Sequence, residues 1–216
     1  MAHKAHSVFA LTLALVSGGV LAEPISGSYF DLPNCDDHGP QTAVEEFGDP
    51  LVFAPDEAIA HTFSFTQTPA CPMTHNTAMP NALVIMTNLT GRFLDNLYYV
   101  GDPETAFSNF DGGAFGAATP GVVGHAFRID TLGMNRNLIF ESLTFDGIFE
   151  PGETWHFIVQ DYSNAAGLPP DAFFSVGMAG DSLVDPTSSA SIVRMVPTPG
   201  SMVLGLMGLA LLRRRR

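Results

Sequence analysis

Beyond residue 4 the chain contains no lysine, because its only lysine is Lys4. This excludes a Schiff-base lysine, a phosphate-binding-loop lysine, a Ser-x-x-Lys dyad and a kinase-type lysine from the region that follows. The Gly-x-Ser-x-Gly and His-Glu-x-x-His patterns are also missing. The sequence therefore predicts a protein that is not an enzyme, and leaves open a Ser-His-Asp triad assembled from distant positions.

Positive charge is scarce in the long central region. All 22 Asp and Glu residues lie between residues 23 and 196, where the only basic side chains besides histidine are Arg92, Arg128, Arg136 and Arg194. Such a surface repels nucleic acid and anionic lipid and attracts divalent cations. The composition predicts a soluble acidic domain without a nucleic-acid partner.

The first residues have the layout of a secretory signal. A weakly basic start precedes an apolar run from Val8 to Leu21, and small residues precede a cleavage position between Ala22 and Glu23. We expect residues 1–22 to form a short signal helix that signal peptidase removes. The alternative is a buried N-terminal helix of a cytosolic domain.

The last 20 residues contain a second tag. Pro197, Thr198, Pro199 and Gly200 form an extended hinge, because proline cannot continue a strand or a helix interior. Eleven mostly apolar residues, Met202 to Leu212, follow. They are short against the roughly 20 residues that span a bilayer, which suits a temporary anchor. The sequence then ends in a basic cluster of Arg213, Arg214, Arg215 and Arg216.

In its order of hinge, apolar helix and basic cluster, the segment 197–216 resembles the PEP-CTERM sorting domain, which always accompanies a signal peptide. Thr198 stands where that family usually has glutamate. The resemblance implies cleavage near Pro197 to Pro199 by an exosortase, transient membrane insertion, and a final place at the cell surface or outside the cell. It also implies an exopolysaccharide-rich setting. An ordinary weak membrane anchor is the alternative.

Between the tags, residues 23–196 are predicted to form one all-β domain, an antiparallel β-sandwich of jelly-roll type. Turn residues recur every 8 to 15 positions between short runs rich in β-branched and aromatic residues. The predicted strands are Ala58 to Thr66, Ala82 to Thr90, Asn96 to Val100, Val122 to Asp130, Leu138 to Phe145, Thr154 to Tyr162, Ala172 to Gly177 and Ala190 to Val196.

The clearest local unit is a turn followed by an aromatic strand. Pro151 and Gly152 suit the two central positions of a type II turn. In the strand that follows, alternation places Trp155, Phe157 and Val159 on the inward face and His156 with Ile158 on the other. The same alternation places Phe63 and Phe65 together on one face of an earlier strand.

Cys35 and Cys71 are the only cysteines, and a pair in an exported chain predicts a disulfide. Closing a loop of about 37 residues would stabilise the fold by about 4 kcal/mol. Two alternatives stay open. The pairs Cys35/His38 and Cys71/His75 have the residue types of a tetrahedral zinc site, and both thiols could instead be free.

The sequence predicts no cofactor. Its acidic turns offer oxygen ligands suited to Ca²⁺, but none forms a calcium-binding loop, and Asp and Asn are ordinary turn residues. Glu150 and Glu153 flank the turn before Trp155 and would suit a glycosidase if they faced one cleft. His125 and His156 are interpreted as ordinary strand histidines. The acidic turns are Asp95-Asn96, Asp102 with Glu104, Asp111-Gly112-Gly113, and Asp146 with Glu150.

Three classes of function follow from these features. The favoured one is a non-catalytic surface or matrix protein. The second is a carbohydrate- or ligand-binding β-sandwich, for which Tyr98, Tyr99 and Tyr162 are the candidate contact residues. The third is a secreted hydrolase.

Overall fold

The computed structural model describes residues 27–32, 42–47, 59–116, 121–173, 177–178 and 187–196. Within this part of the chain the fold is all-β, as the sequence predicts, and every strand pairs with its neighbours in the antiparallel sense. The strands are β1 (Gly27–Asp31), β2 (Thr42–Phe47), β3 (Ile59–Thr66), β4 (Asn81–Asn88), β5 (Leu97–Gly101), β6 (Thr105–Ala106), β7 (Gly112–Gly116), β8 (Gly124–Arg128), β9 (Leu138–Glu141), β10 (Thr154–Val159), β11 (Ser163–Asn164) and β12 (Ala190–Val196).

These strands form three sheets. A six-stranded sheet has the order β1-β7-β8-β5-β12-β2, and a four-stranded sheet has the order β3-β4-β10-β9. Strands β11 and β6 make a short two-stranded ribbon. The chain crosses between the two large sheets several times, so neither sheet is built from one continuous stretch of sequence.

The predicted inward face of β10 is confirmed. Trp155, Phe157 and Val159 are fully buried in the main hydrophobic core. His156 lies on the other face, half-buried, with its ring centroid 4.5 Å from that of Phe140. The preceding turn is also confirmed, because Gly152 has a φ of 80° and the Glu153 N–H donates to the Glu150 carbonyl at 3.0 Å.

The central strand β5 of the six-stranded sheet is buried on both faces. Along β5, Leu97 and Tyr99 belong to the main core, which also contains the inward residues of β4 and β10. Tyr98 and Val100 point the opposite way into a second cluster, together with residues of β1, β7, β8 and β12. All five residues of β5 are consequently buried.

The same sheet is strongly curled, because its two edge strands, β1 and β2, contact each other. Gly177 and Met178 bridge the edges. The Gly177 N–H donates to Glu46 of β2 at 2.7 Å. Met178 packs on β1. A Cβ atom added to Gly27 of this strand would lie 2.7 Å from the Cε atom of Met178. The second cluster therefore fills the concave side of the sheet.

Strand β7 was not predicted from the sequence, because its glycines were interpreted as an acidic turn. The structure shows why a strand needs them. A Cβ atom at Gly112 would lie 2.0 Å from the carbonyl oxygen of Phe30 in the paired strand β1. The close approach of the two backbones excludes any side chain there.

Other strand predictions need correction. Strands β1, β2, β6 and β11 were not predicted either, and β10 ends at Val159, three residues before its predicted end. Within the predicted strand Ala172 to Gly177, the described residues form only one isolated bridge, from Phe173 to Ala190. Strand β9 ends at Glu141, four residues before its predicted end. Phe65 pairs with buried Ala82 but is 61% exposed, because it lies near the end of its strand. The predicted signal helix and tail helix lie outside the described residues.

We expect the Trp155→Ala substitution to lower the free energy of unfolding by about 3 to 5 kcal/mol, because it opens a cavity in the main core. The neighbouring His156→Ala substitution should cost under about 1 kcal/mol, because that side chain lies on the outer face. Urea unfolding of both variants measures the difference. A larger loss for His156→Ala would contradict the assigned faces.

Candidate functional site

The residues of both predicted processing signals lie outside the described part of the chain, and so does Cys35. Strand β12 ends at Val196, and the Met195 N–H beside it donates to the Asn96 carbonyl at 2.9 Å. The candidate site is the end of the domain at which β12 ends. It is called the tail-side end and consists of residues 89–96 and 142–152, the loops that follow β4 and β9.

Two loops form the tail-side end and are hydrogen-bonded to each other. Leu94 and Phe149 exchange backbone hydrogen bonds of 3.1 and 2.8 Å. The buried Asn88 side chain joins the same loops, since its Nδ2 donates to the carbonyls of Arg92 and Phe149 at 2.8 and 2.7 Å. Asn88 also accepts the Gly152 N–H with its backbone carbonyl at 2.8 Å. One buried amide thus fixes the geometry of both loops.

Two buried glutamates complete the longer loop. Glu153 accepts the Glu150 N–H at 2.9 Å and the Leu143 N–H at 3.3 Å. Glu141 accepts the N–H groups of Asp146 and Gly147 at 2.8 and 2.9 Å. Burial raises the pKa of the Glu141 carboxyl above its usual value, and the two N–H donors oppose that shift.

These contacts correct the glycosidase interpretation of Glu150 and Glu153. Both oxygens of Glu153 accept backbone N–H groups, and its side chain is fully buried. The carboxylate therefore caps the turn instead of facing a cleft with Glu150. No sequence pattern distinguishes the two roles, because a capping glutamate and a catalytic one occur at the same spacing.

One arginine lies in the tail-side end and two lie next to it. Arg194 pairs with Asp95 at 2.7 Å, and Arg128 pairs with Asp130, whose Oδ2 also accepts the Asn96 N–H at 2.8 Å. Arg92 reaches across to β2, where it pairs with Glu45 at 2.6 Å and lies 5.8 Å from the centre of the Phe47 ring. These ion pairs connect the tail-side end to the neighbouring strands.

The tail-side end also presents apolar side chains to solvent. They come from both loops and are not part of either hydrophobic cluster. The sequence analysis did not single them out, since scattered apolar residues in loops carry no periodic pattern. Their exposed fractions are 46% for Leu89, 64% for Phe93, 58% for Leu143, 65% for Phe145 and 39% for Ile148.

Cys71 lies beyond the other end of β4, in the loop that precedes this strand. It is buried and is not a free thiol, but its predicted pairing with Cys35 stays a prediction because Cys35 is outside the described residues. Gln160 fixes its backbone by accepting the Cys71 N–H at 2.7 Å and donating to the Cys71 carbonyl at 2.8 Å. The loop is held to the end of β10 by this side chain.

His75, Asp161 and Ser108 meet beside Gln160 but do not form a catalytic triad. Asp161 Oδ1 lies 3.2 Å from His75 Nδ1, and Asp161 Oδ2 accepts the Ser108 hydroxyl at 2.5 Å. The carboxylate therefore lies between histidine and serine, whereas a triad needs the histidine between the other two groups. In this arrangement His75 is not placed to accept the serine proton.

The acidic turns are used within the fold. Asp102 is buried and accepts the Ser188 hydroxyl, Asp95 pairs with Arg194, and Asp146 accepts the Ile148 N–H at 2.9 Å. Among the residues that the structure describes, no group of three His, Cys, Asp or Glu side chains is arranged to hold a metal ion.

The three tyrosines considered as sugar contacts are not on the surface. Tyr98 and Tyr99 are fully buried on opposite faces of β5, and Tyr162 is 8% exposed. Tyr99 donates to the Pro170 carbonyl at 2.9 Å, and Tyr162 donates to the Leu168 carbonyl at 2.6 Å. Their interpretation as an exposed binding platform is wrong, because both faces of the sheet are covered.

Asp111 is a buried carboxyl beside the second hydrophobic cluster, near Tyr29 and Tyr98. Its Oδ2 accepts the Arg128 N–H at 2.7 Å, whereas its buried Oδ1 accepts no hydrogen bond. Burial and the nearby Asp31 raise the pKa of Asp111 from 3.8 to about 7, although Arg128 opposes the shift. Burial also raises the pKa of the neighbouring Tyr29 and Tyr98 hydroxyls.

Comparison with known proteins gives no relative, since no family model, curated protein or solved structure matches this chain. Over the described residues, no helix has the length and apolar character needed to cross a membrane.

We expect reducing agent to lower the melting temperature of the protein, because opening a loop of about 37 residues removes a few kcal/mol of stabilisation. Melting curves with and without reductant measure this, and metal analysis of the same sample is the control. Tightly bound zinc, with both thiols open to alkylation once it is removed, would support the cysteine-histidine alternative instead.

We expect the Asp111→Asn variant to lose a pH dependence that the wild type shows. A carboxyl whose pKa rises on folding binds more protons in the folded state, so stability falls as pH rises from about 4 to about 7. Between about pH 5 and pH 8 the wild type should lose up to about 3 kcal/mol relative to Asp111→Asn. Urea unfolding at both pH values is the measurement. Asp95→Asn, at an exposed carboxyl, is the control, and parallel profiles for wild type and Asp111→Asn would contradict the assignment.

Proposed function

We propose that this chain is an exported surface or extracellular-matrix protein whose acidic β-sandwich is a non-catalytic module. In this proposal signal peptidase removes residues 1–22, and an exosortase cleaves within Pro197 to Pro199 after transient insertion of the apolar tail. Exopolysaccharide is the proposed neighbour of the mature protein.

The sandwich architecture is inferred from the main core, which draws side chains from both large sheets. Aromatic rings meet across the interface: Phe157 of the four-stranded sheet lies 6.1 Å from Tyr99 and 6.4 Å from Phe127 of the six-stranded sheet, measured between ring centroids. Two antiparallel sheets that share one core are the defining feature of a β-sandwich.

The observation that carries the proposal is the position of the last strand. Strand β12 ends at Val196, and the Pro-Thr-Pro hinge begins at the next residue. Among the residues that the structure describes, cleavage within that hinge would remove no strand and no member of either hydrophobic cluster. A tag that is removed after folding requires a processing signal that follows the last described strand.

The non-catalytic role is supported by how the polar residues are used. The side chains of Glu153, Asp161 and Gln160 form hydrogen bonds with the backbone of loops. These polar groups therefore hold the loops in place. The carbohydrate-binding alternative loses its candidate residues, since Tyr98 and Tyr99 are core residues. Glycan-array binding and a hydrolase screen of the purified protein discriminate among the three classes.

The mature protein from the producing bacterium should lack both ends. We expect an intact mass that corresponds to a start at Glu23 and an end within Pro197 to Pro199. A species that retains residues 1–22 would contradict export. A species that retains Arg213 to Arg216 would leave export standing and would reduce the tail to an anchor.

A further inference from the structure

Five exposed apolar side chains, from Leu89 to Ile148 along the sequence, lie on two loops that are bonded to each other through Leu94 and Phe149. Single exposed apolar residues are ordinary, but a group at one end of a domain indicates a binding surface. The buried side chains of Asn88 and Glu153 fix the conformation of both loops. The surface that these loops form therefore has a defined shape.

The covalent chain places this surface close to the apolar tail segment. Asn96, in the first loop, accepts a hydrogen bond from Met195, one residue before the end of β12. Val196 and Met202 can be no more than about 20 Å apart, because that is the reach of the chain between them when it is fully extended. A tail segment buried in lipid therefore tethers the domain by its tail-side end.

Charge does not decide the orientation. The domain as a whole is acidic and would be repelled by an anionic membrane. Arg194 pairs with Asp95 of the tail-side end, but Asp146 and Glu150 add negative charge to the same end. The orientation therefore follows from the tether, and a bilayer of neutral lipid is the one to test.

We propose that the tail-side end docks on the lipid bilayer that holds the C-terminal apolar segment, with Phe93 and Phe145 entering the boundary between headgroups and acyl chains. The proposal rests on the membrane insertion of the tail proposed above. Aromatic and aliphatic side chains at this depth bind reversibly, as amphipathic surface helices do.

Docking has a consequence for processing. A membrane-embedded protease acts at the bilayer, and a docked domain holds the start of the hinge beside Asn96, at the same surface. The hinge is thereby presented at the level of the enzyme instead of being carried away from the membrane by a freely moving domain.

The test uses the full chain in phosphatidylcholine vesicles with brominated acyl chains, which quench tryptophan only at close range. Phe93→Trp and Phe145→Trp introduce reporters at exposed positions, while the native Trp155 is fully buried and gives a constant background. Met73→Trp is the matched control, since Met73 is 82% exposed and lies in the loop at the opposite end of β4. Flotation of the vesicles, compared with that of a chain that ends at Val196, reports separately whether the tail anchors the chain.

We expect the chain to float with the vesicles, and the brominated lipid to quench Phe93→Trp and Phe145→Trp but not Met73→Trp. Flotation without quenching at the two loops would overturn the docking proposal and leave tail anchoring intact. Tryptophan reporters that are already shielded from water without vesicles would also overturn the proposal. The chain's own tail would then cover the surface, or a second copy would do so if the shielding depends on concentration. Failure to float would overturn docking and tail anchoring together.

Discussion

The burial of β5 on both faces is the constraint on which the rest of the structure depends. Its side chains alternate between two hydrophobic clusters, with Tyr99 in one and Tyr98 in the other. The four-stranded sheet must cover the first face, and the second must be enclosed by curling the six-stranded sheet until β1 and β2 meet. Gly112 lies between two strands of that curled sheet, because the backbone of β1 approaches too closely there for any side chain.

How much of the fold the sequence predicts depends on whether the signal is local. The Pro151-Gly152 turn and the alternation around Trp155 are decided by neighbouring residues, and both are confirmed. Strand β7 was not predicted, because the glycine at position 112 is required by the close approach of the Phe30 carbonyl, which lies more than 80 positions earlier in the sequence. No window of sequence contains that contact, and glycine alone is an equally good turn signal.

The residues of the candidate site also divide into those with a local sequence signal and those without one. Adjacent tyrosines on a strand must point to opposite faces, so one of Tyr98 and Tyr99 was bound to be inward, but only the tertiary structure shows that both are buried. Glu153 resembled a catalytic carboxylate at the level of spacing, and its role as a cap depends on the N–H groups of Glu150 and Leu143. Exposed Phe93 and Phe145 gave no pattern, because loops have no period against which an apolar residue stands out.

The position of β12 bears on how a C-terminal tether would act on this fold. The strand is not at an edge: it pairs with β5 on one side and with β2 on the other. A pull on Val196 along the strand direction would therefore have to shear two antiparallel ladders at once, in addition to the hydrogen bond from Met195 to Asn96. Ladders loaded in shear share the force among their bonds, whereas a terminal edge strand could be peeled away bond by bond. If the chain is held by its C-terminus, as the proposed function requires, the force therefore acts on an interior strand, which resists it better than an edge strand would.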